Sequence, residues 1–260
     1  MRRGKLLTSV PVFDDVPVLC GHRGSGRGTV GGHAENTVAS ALAAVRHGVR
    51  WLELDARLAA DGVLIARHDP RLPDGRWVSE VPSADTGIER FDALLEALPV
   101  DIGVDLEVKS AIEDALRPRD ETTGAVAADL AARERDRGRN VIVTSFDPSV
   151  LAITRERHPN VPIGLLTWTR FPLRKAIPAA VHLGCEVVAP QFASFPYPDT
   201  PAAEHERELA TIVDVAHRAG LQVVAWCPKP PEEAMLAHAG VDCIIVDDVL
   251  GRPPGTSVAP

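Results

Sequence analysis

Glu53 and Asp55 stand two residues apart in WLELDAR, and Glu107 and Lys109 stand two apart in DLEVKS. Each pair interrupts an otherwise apolar, β-branched run. Residues i and i+2 of a strand share a face, so each pair projects from one side of its strand. A lone E-x-D fits the solvent face of an amphipathic strand. Two such pairs at the ends of consecutive strands point instead to a site, because a charge aimed into a core costs several kcal/mol unless it is paired or metal-bound. Three carboxylates meeting at one rim repel each other, and a divalent cation removes that repulsion. Oxygen donors suit a hard ion, Mg²⁺ or Ca²⁺, better than zinc.

Two histidines come to the same place. His22 follows the first apolar run, in CGHRGSGRGTVGGHAENT, with Arg23 beside it. His68 lies beyond Asp61-Gly62, a dipeptide that favours a two-residue hairpin turn. Folding the chain there sets Leu58 opposite Ile65 and Asp55 opposite His68, with Cβ atoms roughly 5 Å apart. A bulge in the turn would break this register. Two histidines, three carboxylates, one Arg and one Lys fit metal-assisted cleavage of a phosphodiester. Cationic groups hold the anionic phosphorus centre. One imidazole takes a proton from the nucleophile and the other gives one to the leaving oxygen. The glycines of the first loop are then expected to let backbone approach the phosphate and leave room for substrate.

The elements that must position these groups recur along the chain. Apolar runs cover 17–21, 49–58, 101–109, 140–146, 161–168, 185–192, 221–227 and 242–248. Most are continuous rather than alternating, as expected when both faces of a parallel strand are buried. Helical patterns lie between them, at 36–48, 122–138, 147–159, 205–220 and 230–240, with Asp147 as an N-cap and Gly48, Gly138, Gly220 and Gly240 as stops. Eight strands alternating with helices predict a single (β/α)8 TIM barrel over 1–260, in which catalytic groups sit at the C-terminal ends of strands. A small hairpin follows the second strand, and VLGRPPGTSVAP is too short and broken for a full eighth helix. The glycines do not spell G-x-G-x-x-G and no G-K-[ST] follows, which disfavours a dinucleotide fold and a P-loop.

The 260 residues are 45% hydrophobic and 25% charged, with a net charge of −8. That suits a globular protein and disfavours general nucleic-acid binding, while leaving room for a small phosphate ester. Cys20, Cys185, Cys227 and Cys243 form no C-x-x-C and sit in strand-like contexts, which suits buried free thiols and a reducing compartment. The first nineteen residues lack a long apolar segment and a cleavage site, so no signal peptide is expected. No segment approaches ~18 apolar residues, so no membrane span is expected. Together these predict a cytoplasmic protein.

GHRG (21–24), ENT (35–37), GVRWLELDARLAADGVLIARHDP (48–70) and LEVK (106–109) resemble the glycerophosphodiester phosphodiesterase family. TSFDP, VVAW and AGVDCIIVDD are weaker matches further along. The resemblance implies a barrel with one divalent cation, Mg²⁺ or Ca²⁺, held by Glu53, Asp55 and Glu107. It implies His22 and His68 as the acid–base pair and Arg23 and Lys109 as phosphate contacts. Glu35 would touch the metal shell or anchor its loop. Trp226 matches a tryptophan near the substrate alcohol, or is a core residue. The sequence departs from the family pattern in three places. The loop between HRG and ENT is lengthened by SGRGTVGGHA, which predicts extra mobility or an altered substrate mouth; its His33 is expected to be a solvated loop histidine. CPKP follows Trp226 where the family has Thr and Asn. The stretch after His68 is too short for the family's larger insertion.

The expected reaction is hydrolysis of a glycerophosphodiester, a small-molecule substrate, to glycerol 3-phosphate and an alcohol. One alternative is a lysophospholipase D or sphingomyelinase D-like enzyme acting on lipids, although no basic amphipathic helix is present. Another is a non-catalytic phosphate-ester binding protein, since fold alone does not fix function. The sequence leaves open the head-group alcohol, the oligomeric state, and whether a cyclic phosphate or direct water attack is used.

Overall fold

Every one of the eight apolar runs becomes a parallel barrel strand. In the computed structural model, which describes residues 11–14, 16–197 and 207–255, these are β1 (Val18–Gly21), β4 (Trp51–Leu58), β6 (Gly103–Val108), β7 (Val141–Ser145), β8 (Ile163–Thr167), β9 (Val187–Pro190), β10 (Gln222–Trp226) and β11 (Cys243–Val246). They neighbour one another in chain order, and the pairing of Cys20 with Trp51 closes the ring between β1 and β4. The extra strands are β2 (Thr29–Val30), β3 (His33–Ala34) and β5 (Leu64–Ala66).

The two-residue period sorts the strand residues into two cores. Leu52, Leu54, Val104, Leu106, Val143, Val188, Val223 and Ile244 point outward and pack beneath the helices. Cys20, Trp51, Ile142, Leu166, Ala189, Val224 and Ile245 fill the barrel, and Phe13 packs with them, its ring 4.7 Å from that of Trp51. Both faces are therefore dry, which is why the runs are apolar throughout rather than alternating.

The helices are α1 (Val38–Arg46), α2 (Phe91–Ala97), α3 (Thr123–Asp136), α4 (Pro148–Arg157), α5 (Leu173–His182), α6 (Leu209–Arg218) and α7 (Pro230–His238). Thr37, Thr122 and Asp147 cap α1, α3 and α4 through their side-chain oxygens. Two helices lie outside the sequence patterns. The first, α2, is only seven residues long. The second, α5, carries Pro178 in its interior, yet Leu173, Ala176, Ile177 and Ala180 bury one face, and packing outweighs the lost hydrogen bond. No helix follows β11 among the described residues, in line with the reduced last helix. The first ten residues, on which the signal-peptide expectation largely rests, lie outside the described residues, as do 256–260 and the start of the 205–220 pattern.

The hairpin register differs from the expectation by one residue. Arg57 pairs with Ile65 and Leu58 with Leu64, so the connection is the three residues Ala60–Gly62. The Gly62 N–H donates to the Ala59 carbonyl at 3.1 Å, and its φ of 76° is the left-handed residue that such a loop needs. Asp55 therefore faces the backbone of Arg67, whose N–H reaches the Asp55 carbonyl at 3.0 Å, and not His68. The glycine-rich insertion is likewise a formed element: β2 and β3 pair antiparallel about a Gly31-Gly32 turn.

A buried arginine ties α2 and α3 to the barrel wall. Arg139 is 4% exposed. It donates to the carbonyls of Leu95, Leu98, Pro99 and Ile102 and to Glu134 Oε2. It thus satisfies the carbonyls at the C-terminal end of α2 as well as a buried carboxylate. Arg139→Met should cost about 3–5 kcal/mol, because it leaves Glu134 Oε2 and several carbonyls without their donor, although Arg137 Nη1 still reaches Glu134 Oε1 at 2.7 Å. Urea unfolding measures this, and a loss below ~1 kcal/mol would show that the network contributes little.

Candidate active site

The inward parity of the strands continues past the apolar core and turns polar at the C-terminal rim. Above Cys20 comes His22; above Trp51 come Glu53, Asp55 and Arg57. Above Gly103 come Asp105, Glu107 and Lys109. Phe146, Trp168, Gln191, Trp226 and Asp247 follow on β7 to β11 by the same step of two. Most of these groups line one cavity of about 840 Å³, His22, Glu53, Glu107, Lys109 and Trp226 among them, and Arg23 and His68 join the lining from the adjoining loops. Asp55 is fully buried beside these groups, between Lys109 and Arg23. The predicted groups are therefore brought together.

Asp55 and Glu107 are direct partners across β4 and β6, with Glu53 and Asp105 paired one layer below. One oxygen from each of Glu53, Asp55 and Glu107 lies within 4.8 Å of the others. Glu53 Oε2 accepts the Arg23 backbone N–H at 2.9 Å, but Oε1 is buried with no donor. Asp55 Oδ2 accepts from Asn36 Nδ2 at 2.7 Å, and Asn36 Oδ1 accepts the Asp55 N–H at 3.0 Å. Lys109 Nζ lies 3.1 Å from Asp55 Oδ1 and also bonds Glu107. Arg23 Nε is 3.4 Å from Asp55 Oδ2.

These surroundings set the carboxylates apart. Burial, then the charges of Asp55 and Glu107, push Glu53 well above the usual carboxylate range. Burial also raises Glu107, against the pull of Lys109. Burial acts the same way on Asp55, but Lys109 and Arg23 outweigh it and hold that carboxyl low. The donor set fits a hard divalent cation: three buried carboxylates from adjacent strands, one oxygen lacking any donor, and repulsion that Lys109 and Arg23 only partly offset.

His22 is held on its other side. Its Nδ1 lies 2.5 Å from Asp247 Oδ1, so Nδ1 carries the proton and Nε2 faces Glu53 Oε2 at 3.7 Å. His68 is half-buried, with Nδ1 2.8 Å from Asp69 Oδ1 and its carbonyl fixed by Arg57 Nε at 2.7 Å. Burial lowers its pKa below the ordinary imidazole value, opposed by Asp55 and Asp69.

The HRG and ENT segments clasp each other. Arg23, at a left-handed φ of 50°, accepts the Asn36 N–H on its carbonyl. Glu35 accepts from Arg23 Nη1 at 2.9 Å and from the Gly28 N–H, so it anchors the loop. His33 sits on β3, outside the cavity lining. Gly24 and Gly26 are required by packing within the protein. A Cβ on Gly24 would meet Ser40 Oγ at 2.6 Å, and one on Gly26 would meet the Asp247 carbonyl at 1.7 Å. These glycines let the loop pack against α1 and the end of β11.

Trp226 is both packed and cavity-lining. It is half-buried, donates Nε1–H to the Ala189 carbonyl at 3.1 Å, and still lines the cavity. Its edge meets Phe146, which stacks on Trp168 at 4.0 Å. Sequence reasoning missed this aromatic wall and also Asp247, Asn36, Arg57 and Cys227. Asp247 was within reach, since it stands one strand period beyond Ile245, an inward residue.

A parallel barrel whose C-terminal rim gathers acidic, basic and imidazole groups has the parts that a phosphoric diester hydrolase needs. The sequence profile of the glycerophosphoryl diester phosphodiesterase family matches residues 22–250. The chain belongs to that family. A glycerophosphodiester phosphodiesterase of Caldanaerobacter subterraneus subsp. tengcongensis is 26% identical over 253 residues, 89% of this chain and 94% of the relative. An Oleispira antarctica phosphodiesterase, solved with its product sn-glycerol-3-phosphate, shares the fold with a TM-score of 0.71 and 22% identity, covering 89% of this chain and 93% of its own. A glycerophosphodiester phosphodiesterase of Agrobacterium tumefaciens gives 0.65 and 23%, over 89% and 95%.

Proposed function

We propose that the chain, acting as one barrel domain, hydrolyses glycerophosphodiesters to glycerol 3-phosphate and an alcohol with the help of one divalent cation. The observation that carries this is the convergence of Glu53, Asp55 and Glu107 beside His22, His68, Arg23 and Lys109 at a single cavity. Glu53, Asp55 and Glu107 would hold the cation, Mg²⁺ or Ca²⁺. When bound, it supplies positive charge that polarises the phosphoryl oxygens.

The chain's own groups do the rest. Arg23 and Lys109 place positive charge beside the phosphate. Asp247 fixes His22 in the tautomer that leaves Nε2 free for proton transfer. His68, largely neutral near pH 7 because burial lowers its pKa, completes the pair. Trp226 and Phe146 wall the space for the alcohol. A reducing cytoplasmic setting suits four free cysteines. No helix among the described residues is long and apolar enough to cross a membrane.

Release of glycerol 3-phosphate from glycerophosphocholine, abolished by chelation and restored by Mg²⁺ or Ca²⁺, is the expected result. A parallel assay on a lysolipid tests the lipid alternative. Absence of turnover on every glycerophosphodiester with the cation bound would overturn the proposal.

A further inference from the structure

His22 has a second set of neighbours, away from the carboxylate cluster. Its Nδ1, the Cys227 Sγ and an Asp247 carboxylate oxygen all lie within 4.8 Å of one another. The Sγ–Nδ1 distance is 3.4 Å and the Nδ1–Oδ1 distance 2.5 Å. All three side chains line the catalytic cavity, so an ion in solution can reach them. Cys227 is delivered by an unusual backbone: it follows the last residue of β10 at a left-handed φ of 56°, with its N–H held by the Ile245 carbonyl at 2.9 Å. A side chain other than glycine rarely occupies that region unless the surroundings fix it.

We propose that His22, Cys227 and Asp247 form a second metal site, selective for zinc and similar thiophilic ions, whose occupation inhibits the enzyme. Sulfur, nitrogen and carboxylate donors suit Zn²⁺ and not the hard ion expected at the all-oxygen cluster. A tetrahedral zinc with ordinary Zn–S and Zn–N lengths separates those two donors by about 3.5 Å, close to the distance present. Only Asp247 must withdraw, and its side chain is 42% exposed.

The proton balance is simple. Cys227 is a neutral thiol, its pKa raised by burial and by Asp247. Zinc displaces the S–H proton to solvent. The proton on His22 Nδ1 moves to Nε2, so the imidazole stays neutral but presents N–H where a lone pair stood. Nε2 can then no longer accept a proton. That inhibitory consequence rests on the proposed role of His22; the metal site itself does not.

The test loads the Mg²⁺-saturated protein with Co²⁺ as a spectroscopic substitute for zinc. The wild type should show a near-ultraviolet thiolate-to-cobalt charge-transfer band, which an all-oxygen site cannot give. Cys227→Ser should lose that band while keeping Cys20, Cys185 and Cys243. Zinc should inhibit hydrolysis of glycerophosphocholine, and the serine variant should raise the half-inhibitory concentration at least ~10-fold. Cys227→Ala replaces the serine variant if that one fails to fold. No band in the wild type, a band that survives the substitution, or unchanged zinc sensitivity would overturn the inference. If the protein turns over no glycerophosphodiester at all, the proposed activity fails while the cobalt spectrum still decides the site.

Discussion

His22→Asn should lower kcat by about 10²–10⁴-fold, and His68→Asn by a similar factor, with little change in cation affinity. Neither histidine belongs to the carboxylate cluster, so calorimetric titration with Mg²⁺ or Ca²⁺ should give near wild-type binding. Asparagine keeps an N–H donor for Asp247 or Asp69, so the fold should tolerate each change. The pH profile then separates the two roles. Burial lowers the His68 pKa from 6.5, with Asp55 and Asp69 opposing. If neutral His68 is the base, kcat/KM rises through a pH below 6.5, and the asparagine variant loses that acid limb. If protonated His68 is the acid, the variant loses the alkaline limb instead. Variants that keep activity within ~3-fold of wild type would remove the imidazoles from the mechanism.

The strands and most of the rim were legible in the sequence for one reason. A two-residue period carries a residue from a dry layer to a wet one without changing face. Glu53, Asp55, Glu107 and Lys109 stand out because charge interrupts runs that must otherwise be apolar. His68 reached the right cavity through a wrong register: the Ala60–Gly62 loop shifts the pairing by one, and the chain beyond β5 brings the imidazole back by a different path. Groups defined by a partner far along the chain were not legible. Asp247 gains its role from His22, 225 residues away, and Asn36 gains its role from Asp55. Local pattern marks Asp247 only as inward-facing and Asn36 only as part of ENT; neither pattern names the partner. α5 was hidden by Pro178, whose local preference the buried face overrides.

Asp105→Asn should stabilise the metal-free protein at pH 8 while weakening its hold on the cation. Asp105 sits one layer below Glu107, 2% exposed, with Thr144 Oγ1 donating to it at 2.6 Å. Burial pushes its pKa from 3.8 up to about 7, opposed by the Thr144 hydrogen bond and assisted by Glu107 and Asp55. A carboxyl whose pKa is higher folded than unfolded supports the fold fully below the unfolded value. That support is lost as pH rises through the folded value. The span from 3.8 to about 7 corresponds to on the order of 4 kcal/mol lost between pH 3 and pH 8. Glu53 and Glu107 are shifted in the same direction and add to the slope. Urea unfolding in EDTA should therefore show wild-type stability falling from pH 4 to pH 8. The asparagine variant should have a shallower slope and a gain of a few kcal/mol at the alkaline end. Equal stability of the two proteins at pH 8 would show that Asp105 ionises there without strain. The cation should see the opposite effect, because the charge that burdens the metal-free rim lies beside Glu53 and one layer below Asp55 and Glu107, the carboxylates that would bind it. Loss of that charge should weaken Mg²⁺ or Ca²⁺ binding, which would make the instability of the metal-free rim the counterpart of its affinity.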